Sequence, residues 1–185
     1  PVGEQLTQTS LFSRLFDIRL HSVFPAMKAY GDAYDEYNVP LAMMKSSLFG
    51  EYNLAKEWTA ITPFAVVLFI SGVLLAIAAF AAMLYMLFSK RSSLQAEWKL
   101  FLGVLYVSLL AFYCKFAFGS SNFSAQDFRY IALIIVPEAI FLGSFVDTLD
   151  FGKRQQKLIG CTVMGAAAVF AASSFAVYMM LGFAR

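Results

Sequence analysis

Ile61-Thr-Pro63-Phe-Ala-Val-Val-Leu-Phe-Ile70-Ser-Gly-Val-Leu-Leu-Ala-Ile-Ala-Ala-Phe80-Ala-Ala-Met-Leu-Tyr-Met-Leu-Phe88 contains no charged side chain. A helix needs about 20 apolar residues to cross a hydrocarbon core about 30 Å thick, and this run exceeds that. Pro63 stands at its start, where a missing N–H costs little. The extra length predicts a tilted span or one that projects past the bilayer. Three further stretches qualify. Residues 100–118 are uncharged except for Lys115 near the far end. Residues 130–146 are the shortest and carry Pro137 and Glu138 at mid-span, where the proline should kink the helix. Residues 158–183 are again free of charge and rich in Ala and Gly. Connections of about 10 residues make consecutive spans antiparallel neighbours. The expected fold is all-α: a polytopic transmembrane helical bundle of four spans (61–88, 100–118, 130–146 and 158–183) within residues 58–185. An outer-face N-terminal segment with short helices, residues 1–57, precedes it.

The composition points the same way. Of 185 residues, 60% are apolar and 14% charged, with a mean hydropathy of +0.68. Soluble domains carry about 25% charged residues, so this chain has too few charges to cover a globule. Disorder needs the opposite balance. Cys114 and Cys161 both lie inside apolar runs, which excludes a secreted disulfide scaffold. A net charge of +2 without a basic patch excludes nucleic acid as a partner. The partner written into the composition is the lipid bilayer.

Cations set the orientation. Lys90, Arg91 and Lys99 follow the first span, and Lys153, Arg154 and Lys157 follow the third. The loop between the second and third spans holds only Arg129. Lys and Arg collect in short cytoplasmic loops. Loops 89–99 and 147–157 are therefore expected in the cytoplasm, with residues 1–57 and loop 119–129 outside. No basic, apolar signal-peptide pattern appears at the start of the chain, which opens on Pro1. Placing residues 1–57 outside then calls for upstream transmembrane helices of the same polypeptide. The expectation is the C-terminal part of a larger polytopic protein.

The outer segment has its own pattern. Leu11, Phe12, Leu15, Phe16, Ile18, Leu20, Val23 and Phe24 recur at helical spacing among Arg14, Asp17, Arg19 and His21. This predicts an amphipathic helix or a segment lying on the outer membrane surface, with Ser10 as N-cap and Pro25 as terminator. Pro40 opens a short second helix over 41–48, and Trp58 suits an interfacial anchor. Between them lies Tyr30-Gly-Asp32-Ala-Tyr34-Asp35-Glu36-Tyr37-Asn-Val-Pro40. Its tyrosines either rest at the headgroup level or stack on sugar rings. Asp32, Asp35 and Glu36 offer the hard oxygens that a divalent cation prefers, without the spacing of a known loop; no metal site and no certain cofactor follow.

Few residues bring chemistry. His21, the only histidine, reads as structural, and no Ser–His–Asp, Cys–His, phosphate-loop or metal-ligand motif is present. The catalytic residue is unknown. Ionisable groups within spans are functional suspects. Glu138 is one, either gluing helices together or handling substrate or protons. Lys115 can snorkel to the headgroups. Asp127 and Arg129 in Gln126-Asp-Phe-Arg-Tyr130 form either a local pair at the helix start or, with Lys115, a cationic site for a lipid phosphate.

Val2-Gly-Glu-Gln-Leu-Thr-Gln-Thr-Ser-Leu-Phe-Ser-Arg-Leu-Phe-Asp-Ile-Arg19, Asp35-Glu-Tyr-Asn-Val-Pro-Leu-Ala42, Lys45-Ser-Ser-Leu-Phe-Gly-Glu51 and Gln126-Asp-Phe-Arg-Tyr-Ile131 resemble large bacterial membrane glycosyltransferases of the GT-C type. Those enzymes take a sugar from a polyprenyl-phosphate donor outside the cytoplasmic membrane. The resemblance implies a cell-envelope transferase in the bacterial cytoplasmic membrane, of which this chain is the C-terminal part, with the catalytic acid upstream. It implies that residues 1–57 and Asp127–Arg129 line or support the donor and acceptor cavity. Within that cavity the expectation is that Tyr34 and Tyr37 contact sugar, that Asp32 and Asp35 bond its hydroxyls or hold a divalent cation, that Lys115 and Arg129 stabilise the departing lipid phosphate, and that Asp127 orients Arg129. Two other classes fit the same spans: a transporter or flippase subunit working through Glu138, and a non-catalytic membrane scaffold.

Overall fold

The computed structural model describes residues 10–17, 38–49, 60–90, 94–120 and 123–183. Among them the regular structure is helical, with no strand. In chain order the helices are α1 (Leu11–Phe16), α2 (Val39–Phe49), α3 (Thr62–Phe88), α4 (Ala96–Gly119), α5 (Ile135–Asp147) and α6 (Arg154–Phe183). Three 3-10 turns, Phe123–Gln126, Phe128–Tyr130 and Ala132–Ile134, connect α4 to α5.

Three helices, α3, α4 and α6, are long and apolar enough to cross a membrane, with 27, 24 and 30 residues. At about 1.5 Å per residue each exceeds the core thickness of about 30 Å. Their outward side chains include Leu74, Ile77, Val104, Val107, Phe112, Met164 and Phe175, all exposed. Water would not tolerate so continuous an apolar exterior; hydrocarbon does. The chain is a membrane protein by this measure.

Helix limits follow from local chemistry. Pro63 lies in the first turn of α3, where its absent donor has no intrahelical partner to lose. At the other end of α3, Lys99 Nζ donates to Ser89 O at 2.6 Å. The helix α4 begins at Ala96, a turn before Leu100, with Glu97 at the favourable end of its dipole. Similarly, α6 starts at Arg154 rather than at 158.

The expected third span takes a different form. Residues 130–146 do not make one helix: two 3-10 turns lead into an α-helix of 13 residues, about 20 Å long. The reason lies in Pro137. Its ring crowds the carbonyl one turn earlier and it has no N–H to offer Leu133, so regular α structure cannot continue backward through that turn. Pro137 thus stands in the first turn of α5 rather than at a mid-span kink, and Glu138 shares that turn. The described residues confirm three spans by length and composition, not four.

The chain gathers into two compact units, Pro1–Phe69 with Ala111–Ala132, and Ile70–Leu110 with Leu133–Arg185. In the first, buried apolar side chains come from α2 (Val39, Leu41, Leu48, Phe49), Ile61 just before α3, the first half of α3 (Leu68, Phe69) and the end of α4 (Tyr113, Ala117). Arg14, Asn38, Lys45 and Gln126 are buried among the residues of this unit too. In the second, Met83, Met86, Leu102, Tyr106, Phe141 and Val177 are buried. Phe80 lies 6.3 Å from Tyr106, and Tyr85 meets Phe145 edge-on at 5.7 Å. Glu138 and Tyr106 interact electrostatically in this unit. Only 11% of the apolar window of α6 is buried, against 33% for α3, so α6 is the least buried of the three.

Candidate functional site

The first unit holds the polar residues that sequence reasoning singled out near the C-terminal end of α4. Asp127 caps the 3-10 turn Phe128–Tyr130: its Oδ1 accepts from Arg129 N at 2.9 Å. Its Oδ2 stands 3.5 Å from Arg129 Nε. The Asp127 side chain is 13% exposed and that of Arg129 54% exposed. An ion pair so open to solvent is worth roughly 0–1 kcal/mol, so its consequence is orientation. The guanidinium also lies 5.3 Å over the Tyr130 ring. Tyr130 in turn meets Phe116 of α4 at 4.9 Å, steeply tilted toward edge-on. A cation is thereby presented at the rim of an exposed aromatic strip made by Phe112, Phe116 and Tyr130.

Hydrogen bonds fix the backbone beneath this rim. Asn38 Oδ1 accepts from Leu41 N at 2.9 Å and starts α2, with Pro40 in its first turn. Ser46 Oγ, on α2, accepts from Phe128 N at 2.8 Å and donates to Met43 O at 3.2 Å. Tyr113 Oη donates to Gln126 O at 2.7 Å. Both neighbours of Asp127 are therefore tied to separate helices.

Arg14 closes the cluster from α1. It is 4% exposed, and its Nη2 donates to Ala117 O at 2.7 Å, with Nη1 3.5 Å from Phe118 O. The guanidinium also sits 5.1 Å from the Phe118 ring centre. Those carbonyls belong to the last turn of α4, where intrahelical donors run out and the dipole is negative. Burial pulls the guanidinium below its ordinary pKa, an effect the nearby Tyr113 opposes. Its Nε has no hydrogen-bond partner among the described residues.

The structure therefore brings Asp127 and Arg129 together and leaves Lys115 exposed on α4, with no ion pair to Asp127. Glu138 belongs to the second unit. Asp32, Tyr34, Asp35 and Tyr37, like His21, lie outside the described residues. Among the described residues no group of three or more His, Cys, Asp and Glu side chains could hold a metal ion. No family model, no curated protein and no solved structure matches this chain.

Sequence reasoning missed Arg14, Asn38 and Tyr113. The signal for Asn38 was available, since Asn immediately before Val-Pro is a strong helix-start pattern. Nothing in the spacing of α1 distinguishes Arg14 from a solvated arginine. The arrangement as a whole can bind an anion: a guanidinium offers planar, paired donors matched to phosphate oxygens. No general base stands beside it among the described residues, because the Asp127 carboxylate is engaged by Arg129.

Proposed function

We propose that this chain is the C-terminal portion of an integral membrane glycosyltransferase. It takes a sugar from a polyprenyl-phosphate donor on the outer face of the bacterial cytoplasmic membrane. The observation that carries this reading is Arg129: half-exposed, oriented by Asp127 and Tyr130, and set at the rim of exposed aromatic side chains. A lipid phosphate needs a cation at headgroup level and an apolar path beneath it. In the reaction, the carboxylate of an acidic residue supplied upstream takes the proton of the acceptor hydroxyl as general base, and the hydroxyl oxygen attacks the anomeric carbon. The bond from that carbon to the phosphate oxygen breaks, and Arg129 stabilises the charge left on the phosphate. Lys115 adds a second cation at the same level, and the Tyr34 and Tyr37 stretch contacts sugar.

In this proposal α5 completes a fourth crossing. The 3-10 turns before it rise about 2 Å per residue and extend its reach toward the core thickness of about 30 Å. Loops 89–99 and 147–157 are cytoplasmic; residues 1–57 and loop 119–129 are outside.

The test is sugar transfer by the complete polypeptide in membrane vesicles. Arg129→Ala should lower kcat/KM about 100-fold, the scale of losing one donor to a developing oxyanion. Glu138→Gln should leave transfer unchanged, because Gln keeps the shape and polarity of the side chain and Glu138 has no part in the transfer. If Arg129→Ala is silent while Glu138→Gln abolishes proton-coupled uptake, the protein is a transporter and the glycosyltransferase reading fails.

A further inference from the structure

The three sides of α1 differ in chemistry. Successive side chains on a helix are about 100° apart, which groups Leu11, Phe12, Leu15 and Phe16 on one side and Ser10, Ser13 and Asp17 on the opposite one. Arg14 projects from the flank between them. The structure bears this out at each position. Leu11, Phe12, Leu15 and Phe16 are 63%, 71%, 37% and 64% exposed, while Arg14 is buried. The Phe12 and Phe16 rings lie 4.9 Å apart, forming one apolar surface. Ser10 Oγ accepts from Ser13 N on the polar side, and that pair is exposed.

A helix stabilised only by its own protein would turn its phenylalanines inward and its arginine outward. Here the arginine is the residue that binds protein. Its guanidinium holds the carbonyls of Ala117 and Phe118, in the last turn of a membrane-spanning helix. This contact sets the level of α1 at the end of that span. Phe112 and Phe116, on the closing turns of the same span, are exposed as well.

We infer that α1 lies in the plane of the membrane surface with Leu11, Phe12, Leu15 and Phe16 inserted among the lipids, and that Arg14 is the pin that fixes its depth. The occupant of the exposed face is the bilayer. Apolar and polar sides stand opposite each other, as in a helix shared between acyl chains and water. Such a helix buries its apolar face about 5–10 Å into the headgroup boundary. The inference does not depend on the glycosyltransferase reading, since its test needs no activity.

The experiment uses the full polypeptide in lipid nanodiscs, with Trp58→Phe, Trp98→Phe and Phe in place of any tryptophan outside these 185 residues to clear the background. A Phe12→Trp reporter is compared with Ser13→Trp in phosphatidylcholine brominated either near the headgroup or near the chain end. Phe12→Trp should be quenched severalfold more than Ser13→Trp, and more by the shallow bromines than by the deep ones. Equal and weak quenching at both positions overturns the inference, and means that protein, from the same chain or a second copy, covers the face. Stronger quenching by the deep bromines also overturns it, because α1 would then lie within the core. If Phe12→Trp does not fold, Leu15→Trp reads the same face, and the same outcomes decide.

Discussion

Arg14 carries a charge into the interior with no carboxylate paired to it among the described residues, and its compensation comes from backbone oxygen. Helix ends leave their last four carbonyls without intrahelical donors, so the guanidinium satisfies acceptors that otherwise need water. Removing it strands them and unpins α1. Arg14→Ala is expected to cost about 2–3 kcal/mol, the scale of losing charged hydrogen bonds to buried groups. Arg14→Lys should recover part of that loss through its charge, with fewer donors. Unfolding of the full chain in mixed micelles measures both. Burial shifts the Arg14 pKa downward, so its titration moves toward neutrality from far above it. A guanidinium still keeps its proton throughout the neutral range, and the loss should be the same across that range. At this scale the sequence was only partly legible. Asp127 and Arg129 are two residues apart, so their pairing could be read from spacing. Arg14 and Ala117 are far apart in sequence, and no local pattern announces that they meet.

Among the elements, α5 departs most from expectation. An apolar run of suitable length reads as a span, and hydropathy is blind to where the hydrogen-bond ladder starts. The decisive residue, Pro137, was visible in the sequence; its effect depended on whether helix lay on both sides of it. In the interior of a helix a proline costs about 3 kcal/mol, and in the first turn almost nothing. Pro137→Ala is therefore expected to change stability by less than about 1 kcal/mol, again by unfolding in micelles. A gain of about 3 kcal/mol would mean that an α-helix continues before Pro137 and is being broken there. The long helices were easier, because α3, α4 and α6 exceed the core thickness whatever happens in their last turns. The starts of α4 and α6 lie about a turn before their apolar runs, while α3 starts within one residue of its own.

For the whole molecule, the open question of function is bound to the number of crossings. Each crossing reverses the side on which the next loop emerges, so α5 alone decides where Lys153, Arg154 and Lys157 reside. If α5 crosses, those cations join Lys90, Arg91 and Lys99 on one side, as the distribution of basic loops in membrane proteins requires. If it dips and returns, three cations share the outer face with Arg129, and the donor phosphate would have competing partners across loop 147–157. Labelling separates the two. In the full polypeptide with Cys114→Ser, Cys161→Ser and Ser in place of any cysteine outside these 185 residues, single cysteines are introduced by Ser120→Cys and Gly152→Cys. A membrane-impermeant maleimide is then applied to right-side-out and to inverted vesicles. Ser120→Cys should react only from outside and Gly152→Cys only from the cytoplasmic side. Reaction of both from the same side would show that α5 does not cross. It would leave three spans, invert the expected direction of α6, and remove the sidedness that places Arg129 apart from the other loop cations.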